Sequence, residues 1–475
     1  MIYRGLQRKE APMARKKRGE AQRPPSPARS PRSGKLQGFS DSELLAELAR
    51  RRVVGAMTDL TAMELAAEKA KFQFGHESLE AMLAMLPPED GSPKPCPKCG
   101  EAVPVRALGR SREVHTLSGW VAINRSYHHC DACKLGFYPR DIELGLPEQG
   151  EVSFELERRI LDLGVTDTFA NAAERWSVHY PEPISENVVR RVVDRVGRLC
   201  ACAGEAEVQR ACQPPPKKPT GFLVVATDGS LVQTREADPW KEAKVAVVAR
   251  GDQIKDGPRK RVEQARYVST LQKRDGFAKT LKEVLEVERA DEVPKVVWLG
   301  DGAPSNWTIA EELCPFAIQI LDRTHAVQHA MDCGRKLLGE GEPLVREWER
   351  RIQELIDEGP DGLIAELMDC VPETVDDGQL DALEDAVRYF RTNEKRMRYA
   401  EFRGDYLPIG SGIVESAHRH VLQVRMKRAG QRWSLERAER MARLRAAYSM
   451  AGPARFHRAV REAYARTPTY RLRSI

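Results

Sequence analysis

Apolar positions along the chain follow two different periods, and the change between them divides it into segments. Between residues 222 and 322, short apolar runs rich in Val and Ile are separated by polar turns, which indicates buried strands. At 343–400 and 412–450, apolar residues recur every three or four positions, which indicates helices. Residues 40–86 and 151–200 have helical spacing as well. The pattern therefore predicts a multidomain α+β protein.

The strand-rich segment has the element order of an RNase H-like fold. Three strands would form an antiparallel meander, a helix would cross over, and two further strands would lie parallel to the first. In chain order, the predicted elements are strands 221–230, 243–250 and 265–271, helix 277–289, and strands 295–301 and 316–322. We therefore predict an RNase H-like α/β catalytic domain in two parts, 221–342 and 401–450, separated by an all-α insertion at 343–400.

Proline content and charge mark the remaining boundaries. Residues 1–39 are rich in Arg, Lys, Pro and Ser and are predicted to be a disordered basic tail. A helical arm is expected at 40–93, and prolines make a stiff linker of 212–220. Residues 451–475 are expected to be a basic C-terminal tail.

Composition and the lack of long apolar stretches indicate a soluble protein. Hydrophobic residues make up 41% of the chain and charged residues 31%, as in globular domains. No stretch approaches the ~20 apolar residues of a membrane span, and the N-terminus lacks a signal-peptide core. We therefore expect a cytoplasmic or nucleoid protein with no membrane partner.

The net charge of +6 is unevenly distributed. Residues 1–35 carry 11 Lys/Arg against two Glu, whereas 340–385 have 16 acidic and three basic residues. Residues 419–445 have nine basic and two acidic residues. Positive charge concentrated in this way favours DNA as a partner. A solvated basic helix and a disordered tail would give the same pattern.

Two CxxC pairs predict a zinc ribbon at 94–150. Two thiolates from each pair complete a closed tetrahedral site for structural Zn²⁺, and Gly100 permits the tight turn after the first pair. The stretch 115–130 alternates like a hairpin. The expected ligands are Cys96, Cys99, Cys130 and Cys133, with His115, His128 and His129 as alternative ligands.

Residues 151–211 are predicted to form a helical DNA-binding domain of the helix-turn-helix kind. Three short helical patterns are joined by turns, and Ser185 is placed to cap the third helix. One face of that helix carries arginines suited to base edges and phosphates, namely Arg190, Arg191, Arg195 and Arg198. An ordinary three-helix bundle with a solvated basic face is the alternative.

Three acidic residues have the surroundings of a metal-dependent nuclease site. Asp228 and Asp301 follow apolar runs and would end two neighbouring strands, and Glu415 lies on an amphipathic helix. Carboxylates held in this way suit two Mg²⁺ (or Mn²⁺) ions, which align a water and a leaving oxygen on a phosphodiester. Each acid alone is weak evidence, since an Asp before Gly is usually a turn residue.

Basic residues follow Glu415 and are expected to hold DNA. Positive side chains beside a metal cluster would contact the phosphate backbone, and Trp433 would stack on a flipped base or belong to the core. The remaining residues of this set are His418, Arg419, Arg425, Lys427, Arg428 and Arg432.

Four sequence blocks resemble the ISKra-four family of bacterial insertion-sequence transposases, relatives of the Mutator-like DDE group. The blocks read ATDGS, LGDGAPSNW, LDRTHAVQH and PIGSGIVESAHRHVLQVRMKRAGQRWS, and the likeness covers roughly 94–450. The resemblance implies that Asp228, Asp301 and Glu415 are the DDE triad. It also implies a (C/D)xxH signature, which Asp322 and His325 match here, and an α-helical insertion before Glu415.

The resemblance thus implies a DNA transposase that binds element ends, or terminal inverted repeats, and joins them to target DNA. Synapsis of two ends requires a homodimer or a higher oligomer. His325 would orient the scissile phosphate, or would only pair with Asp322 at a helix start. A non-transposing RNase H-fold nuclease and a zinc-dependent DNA-binding protein or repressor derived from a transposase are the alternatives.

Overall fold

The computed structural model describes residues 59–147, 150–217, 221–251, 264–339, 343–372, 375–410 and 412–466, together with 40, 42–44, 46–47, 50, 254–255 and 261–262. The chain divides into two compact units, Met1–Lys71 and Phe72–Ile475. The tail predicted at 1–39 lies outside the described residues. In the described part of the chain, no helix combines the length and apolar character that crossing a membrane requires.

A β-hairpin occupies the segment predicted as a zinc ribbon. It follows helix α1 (Leu60–Ala84) and the paired short strands β1 (Lys94–Pro95) and β2 (Ala102–Val103). Strands β3 (Val105–Thr116) and β4 (Gly119–Cys130) then pair antiparallel. Alternate residues of β4 are buried, as the alternating pattern predicts. The third strand of this sheet is β5 (Leu135–Phe137), and helix α2 (Pro139–Glu143) follows it.

Helical segments follow the hairpin, as the periodicity predicts. They are α3 (Phe154–Thr166), α4 (Phe169–His179), α5 (Glu186–Ala203) and α6 (Glu205–Cys212). The first three each begin at a hydroxyl cap, and the predicted cap at Ser185 accepts a hydrogen bond from the Val188 N–H at 3.3 Å. Their apolar faces join the main hydrophobic core.

A five-stranded sheet forms the centre of the second unit. Its strands are β6 (Phe222–Gln233), β7 (Trp240–Arg250), β10 (Arg266–Thr270), β11 (Lys295–Gly300) and β12 (Ile318–Leu321). The spatial order is β10-β7-β6-β11-β12, in which the first three are antiparallel and β6, β11 and β12 run parallel. The small pair β8 (Ile254–Lys255) and β9 (Arg261–Val262) lies between β7 and β10 in the chain.

The predicted strands and the crossover helix are confirmed, with one correction. Helix α7 (Arg274–Glu288) connects β10 to β11, and α8 (Pro304–Leu313) connects β11 to β12. Strand β6 does not end at Asp228, however, but continues for five more residues. These residues alternate in exposure, because the strand remains paired with β7 along its whole length.

The segment predicted as an α-helical insertion is helical. After α9 (Arg323–Leu338) the chain forms α10 (Pro343–Leu355), α11 (Pro360–Asp369), α12 (Asp377–Asn393) and α13 (Tyr399–Gly404). Side chains at helical spacing, including Trp348 and Ile352, are buried against the same core as the sheet.

The last part of the chain is helical for longer than expected. It contains α14 (Gly412–Ala417), a π-helical stretch (His418–Gln423), the short α15 (Val424–Met426) and the long α16 (Leu435–Ala465), which is kinked at Gly452. Residues 451–465 were expected to be a tail, and that prediction is wrong. Phe456 and Val460 are buried there at helical spacing.

A buried carboxylate connects the helical bundle to the end of α16. Glu157 on α3 is fully buried and accepts hydrogen bonds from His457 (2.7 Å), Arg461 and Arg195. Burial alone would raise the pKa of Glu157. The His457 hydrogen bond and the charges of Arg461 and Arg195 outweigh it and lower the pKa to about 2.

Candidate active site

The four predicted zinc ligands come together at the base of the hairpin. Ligand atoms of Cys96, Cys99, Cys130 and Cys133 all lie within 4.8 Å of one another, which is compatible with structural zinc. Burial raises the pKa of Cys96, but backbone N–H groups of Cys99 and Lys98 outweigh it and lower the pKa to about 7, which favours a thiolate.

The alternative histidine ligands have other partners. His128 Nδ1 lies 3.0 Å from the Val103 carbonyl, and His129 Nδ1 lies 3.1 Å from an Asp131 carboxylate oxygen. His115 is paired with Trp120 next to the hairpin turn, at the other end of the strands from Cys130. The four-cysteine set is therefore the one that the hairpin assembles.

Asp228 lies on β6, and Asp301 directly follows β11, the parallel neighbour of β6. Ala226 of β6 pairs with Leu299 of β11, so the same register extended by two residues places Asp301 opposite Asp228. The Asp301 carboxylate accepts hydrogen bonds from the Asn306 side chain (2.7 Å) and the Ala303 N–H (3.0 Å). These bonds fix its orientation at the start of α8.

Gly302 keeps the backbone close to an aromatic ring after Asp301. Its φ is +96°, and a Cβ there would lie 2.5 Å from the ring of Tyr389. The Tyr389 hydroxyl donates a hydrogen bond of 2.8 Å to the Asp301 carbonyl. Helix α12 of the insertion is thereby connected to the strand end that carries Asp301.

Asp322 and His325 form a pair next to these two acids. Asp322 is buried, caps α9, and lies with one oxygen 2.6 Å from His325 Nδ1. This hydrogen bond raises the pKa of His325 despite burial, and the charges of Asp228 and Asp301 add to the rise. His325 is therefore within electrostatic reach of both aspartates. His329, one turn later, stacks on Tyr389 at 3.9 Å.

Glu415 lies on α14, which packs against β6 and β7. The chain before α14 is held beside the start of α9, because the Arg323 N–H donates to the Ile409 carbonyl at 2.9 Å. The Glu415 side chain itself is exposed. Among the described residues, only the four cysteines gather three or more ligand atoms within 4.8 Å, so no single point is shared by all three acids.

His418 is placed against Asp228 rather than on the surface. Its ring is buried, and Nε2 lies 3.2 Å from Asp228 Oδ2. Although this distance is short, neither ring nitrogen makes a hydrogen bond of good geometry among the described residues. His418 was predicted to contact DNA, and its burial removes it from that set in this conformation.

A π-helical stretch and the buried Arg445 hold this segment inward. In a π-helix the hydrogen bonds span five residues, which displaces the following side chains around the axis. Arg445 of α16 donates to the carbonyls of His420 and Val421 in the stretch and to that of Val165. These contacts satisfy carbonyl groups within the stretch and hold it against α3.

Arg425 and Trp433, both predicted to contact DNA, are also buried. Arg425 is fully buried, donates to the Gly164 carbonyl at 3.0 Å, and packs against the rings of Phe169 and Trp433. Burial lowers the pKa of Arg425 to about 9. The Trp433 indole N–H donates to the Met426 carbonyl. Neither side chain can reach a phosphate or a base in this arrangement.

The other predicted DNA-contacting residues differ in exposure. Arg419, Lys427 and Arg432 are exposed, and Arg428 is half-buried with a 2.6 Å ion pair to Asp167. In the bundle, Arg191 is exposed, Arg190 pairs with Glu186 at 2.9 Å, and Arg195 is held by Glu157.

A comparison with protein families finds a match over most of the chain. The sequence model of the uncharacterised protein family UPF0236 matches residues 106–462, which is 357 of the 475 residues. The chain is a member of UPF0236. A comparison with curated proteins finds no match.

The extent of the UPF0236 match separates the two candidate sites. All four predicted catalytic residues lie within it, namely Asp228, Asp301, His325 and Glu415. The first cysteine pair, Cys96 and Cys99, precedes it. The description of UPF0236 assigns no activity.

Proposed function

We propose that this UPF0236 protein is a DNA transposase of the Mutator-like DDE type, similar to the ISKra-four family. The main support is that Asp228 lies on β6 and Asp301 directly follows β11, the parallel neighbour of β6, with His325 in electrostatic reach of both. UPF0236 is associated with transposase-like insertion-sequence proteins, which favours the same conclusion.

The order of the central sheet supports an RNase H-like catalytic domain. Three antiparallel strands, β10, β7 and β6, are followed by the parallel β11 and β12. The first aspartate lies on the strand at the junction, and the second follows its parallel neighbour. The helices α10 to α13 lie in the chain between this sheet and Glu415, as in an insertion before the third acid.

Asp228, Asp301 and Glu415 would hold two Mg²⁺ (or Mn²⁺) ions. Carboxylate oxygens are the donors that these ions prefer. When bound, such ions supply Lewis-acid activation of the attacking oxygen and stabilise the departing one.

The neighbouring histidines would orient the site. Asp322 holds His325 in position, and the raised pKa of His325 favours its protonated form, which would attract a scissile phosphate. His418 would limit the positions of the Asp228 carboxylate from the buried side.

The reaction has two steps at the same site. Water attacks phosphorus at the element end, the bond from phosphorus to the 3′ oxygen breaks, and a free 3′-hydroxyl and a 5′-phosphate form. That hydroxyl then attacks a phosphodiester of target DNA, which joins element to target and releases a 3′-hydroxyl of the target. Both steps proceed without a covalent protein intermediate.

DNA would run past the exposed basic residues that follow Glu415. Arg419, Lys427 and Arg432 can contact phosphates, so binding would weaken steeply with salt. Two element ends must be held together, so the active species would be a homodimer or a higher oligomer located at the nucleoid.

A strand-transfer assay tests the proposal. A duplex with a free 3′-hydroxyl, cut from the terminal sequence that flanks the gene, is incubated with supercoiled plasmid and Mg²⁺ or Mn²⁺. Covalent joining that is absent with Asp301→Asn supports the transposase. Cutting without joining favours a non-transposing nuclease, and metal-independent DNA binding without cutting favours the repressor.

A further inference from the structure

A groove lies between the hairpin tip and α5. It contains a cavity of about 420 Å³ lined by Trp120 of the hairpin and by Val188, Arg191, Arg195 and Arg198 of α5. The hairpin and the bundle were expected to act as separate domains. The groove shows that side chains of both form one surface, which we call the ribbon–helix groove.

The ribbon–helix groove continues along α5. A second cavity, of about 520 Å³, is lined by Arg190, Arg191 and Arg437, and the two cavities share Arg191 and Asp194. Together their walls carry five arginines and two acids, Glu151 and Asp194. Arg190 and Arg195 are paired with Glu186 and Glu157, so the positive charge of the groove comes from the other three arginines. A concave surface with this excess of positive charge attracts a polyanion.

The acid at the centre of the groove is already neutralised. Asp194 accepts ion pairs from Arg198 at 2.8 Å and Arg440 at 2.6 Å. Arg437 lies 4.0 Å from the same carboxylate. Arg198 is 53% exposed and Arg437 is 47% exposed, so both side chains also face solvent, where a ligand can contact them. Among the described residues, Arg191 is exposed and forms no ion pair.

The spacing of the arginines suits DNA. Arg191 and Arg198 are seven residues apart on one helix face, a rise of about 10.5 Å. This distance is comparable with the ~12 Å width of the DNA major groove, so the two side chains can reach phosphates on either side of it. Arg195, held by Glu157 against Gly150, supports the wall between them.

Trp120 adds an aromatic surface at one end of the groove. Its side chain is 45% exposed and stacks on His115, with ring centres 4.6 Å apart and planes 12° apart. Burial lowers the pKa of His115, which favours the neutral form of the ring beneath Trp120. An indole whose one face is fixed against the His115 ring can use its other face to stack on a base or pack against a deoxyribose.

We infer that the ribbon–helix groove binds DNA, with Arg191, Arg198 and Arg437 on phosphates and Trp120 on a base. DNA as the ligand rests on the proposed function. Contacts of this kind tolerate many sequences, because phosphates and base faces carry little sequence information. The four-cysteine site would then contribute to DNA binding by stabilising the hairpin that carries Trp120.

The test measures the affinity of the full-length protein for a fluorescein-labelled 30-base-pair duplex and for the matching single strand by fluorescence anisotropy. The double variant Arg191→Ala/Arg198→Ala is expected to raise Kd at least tenfold and to reduce the salt slope by about two. Trp120→Ala is expected to raise Kd about 5- to 150-fold with an unchanged salt slope, and Trp120→Phe much less.

Matched controls separate the groove from general effects of mutation. Trp240 on β7 is 52% exposed and Arg350 on α10 is 65% exposed, so Trp240→Ala and Arg350→Ala remove similar side chains elsewhere. Zinc content and thermal unfolding verify that each variant is folded. Groove variants that bind both DNA forms within twofold of these controls overturn the inference, as does a wild type that binds neither.

The outcome is distinguishable from failure of the proposed function. Groove variants that bind normally while Asp301→Asn abolishes cutting reject the groove and leave the transposase intact. Groove variants that lose DNA while no protein cuts under any metal condition support the groove and reject the transposase.

Discussion

His418 Nε2 lies 3.2 Å from Asp228 Oδ2, and the buried histidine is the first residue of the π-helical stretch. The residue that follows Glu415 by three positions is thus in contact with the first candidate catalytic acid. This contact connects the π-helical stretch to β6, whereas the run of basic residues in the sequence predicted that His418 would face DNA.

Replacing His418 should reduce cutting without reducing DNA binding. His418→Ala frees the Asp228 carboxylate on its buried side, so we expect cleavage to slow by about 10- to 100-fold, as for other partners of metal ligands. Kd for duplex DNA should not change, because a buried ring cannot touch phosphate. His179→Ala, at the exposed end of α4, is the control.

The Mg²⁺ concentration needed for half-maximal cleavage should also rise in His418→Ala. If His418 had a purely structural role, the variant would contain less active protein, but the half-maximal Mg²⁺ concentration would be unchanged. Weaker DNA binding at an unchanged cleavage rate would instead show that His418 contacts DNA, as the sequence predicts.

Glu157 should account for a large share of the stability of the second unit. Glu157→Gln leaves Arg195 and Arg461 without their buried countercharge, which costs about 3–5 kcal/mol of the free energy of unfolding in urea. Glu155 on the same helix also binds two arginines but is 49% exposed, so Glu155→Gln should cost less than about 1 kcal/mol.

The Glu157 contribution should depend on pH in a defined direction. Its pKa is about 2 in the folded protein and near 4.5 when unfolded, so the unfolded state binds protons first on acidification. The contribution is present above about pH 4.5 and is lost as pH falls toward 2. A stability difference between wild type and Glu157→Gln that stays constant from pH 7 to pH 2.5 would contradict this account.

The protein should contain about one zinc ion per chain. Cys130→Ser removes a buried thiolate ligand and should lower the zinc content measured by atomic absorption. Chelation should expose the hairpin to proteolysis, because binding of structural zinc supplies folding free energy. Cys202→Ser changes an exposed cysteine outside the cluster and should keep full zinc occupancy. Equal zinc in both variants would exclude the four-cysteine site.

Substitutions at Arg425 and Arg432 should distinguish an arginine that stabilises the fold from one that contacts DNA. Arg425→Ala removes a buried side chain that packs against two rings and should lower the melting temperature, with no change in the salt slope of DNA binding. Arg432→Ala should leave the melting temperature unchanged and reduce the slope by about one. The reverse result would show that this segment rearranges on DNA.

The strands of the central sheet were predictable because each is a short apolar run bounded by turn residues. The predicted elements agree with the observed ones to within a few residues at β7, β10 and β11. The continuation of β6 past Asp228 was missed, since its residues alternate polar and apolar and resemble a turn near Gly229. Helix 451–465 was missed because its many arginines hid the apolar spacing of Phe456 and Val460.

The positions of the basic residues after Glu415 were harder to predict. A regular helical period was assumed there, but the π-helical stretch changes which side chains face inward. The partners that bury Arg425, Gly164 and Phe169, lie more than 250 residues away in the chain. Contacts over that distance depend on the tertiary fold, whereas the positions of Asp228 and Asp301 follow from two adjacent strands.

Metal-dependent cleavage of terminal-repeat DNA tests the central claim most directly. A 5′-labelled duplex spanning the element end is incubated with Mg²⁺ or Mn²⁺ and with wild type, Asp228→Asn, Asp301→Asn or Glu415→Gln, all verified as folded and DNA-binding. We predict one cut at the element end by wild type and at least a hundredfold slower cutting by each variant. Wild-type cutting by any of the three variants would remove that acid from the site, and cutting by all three would contradict the account.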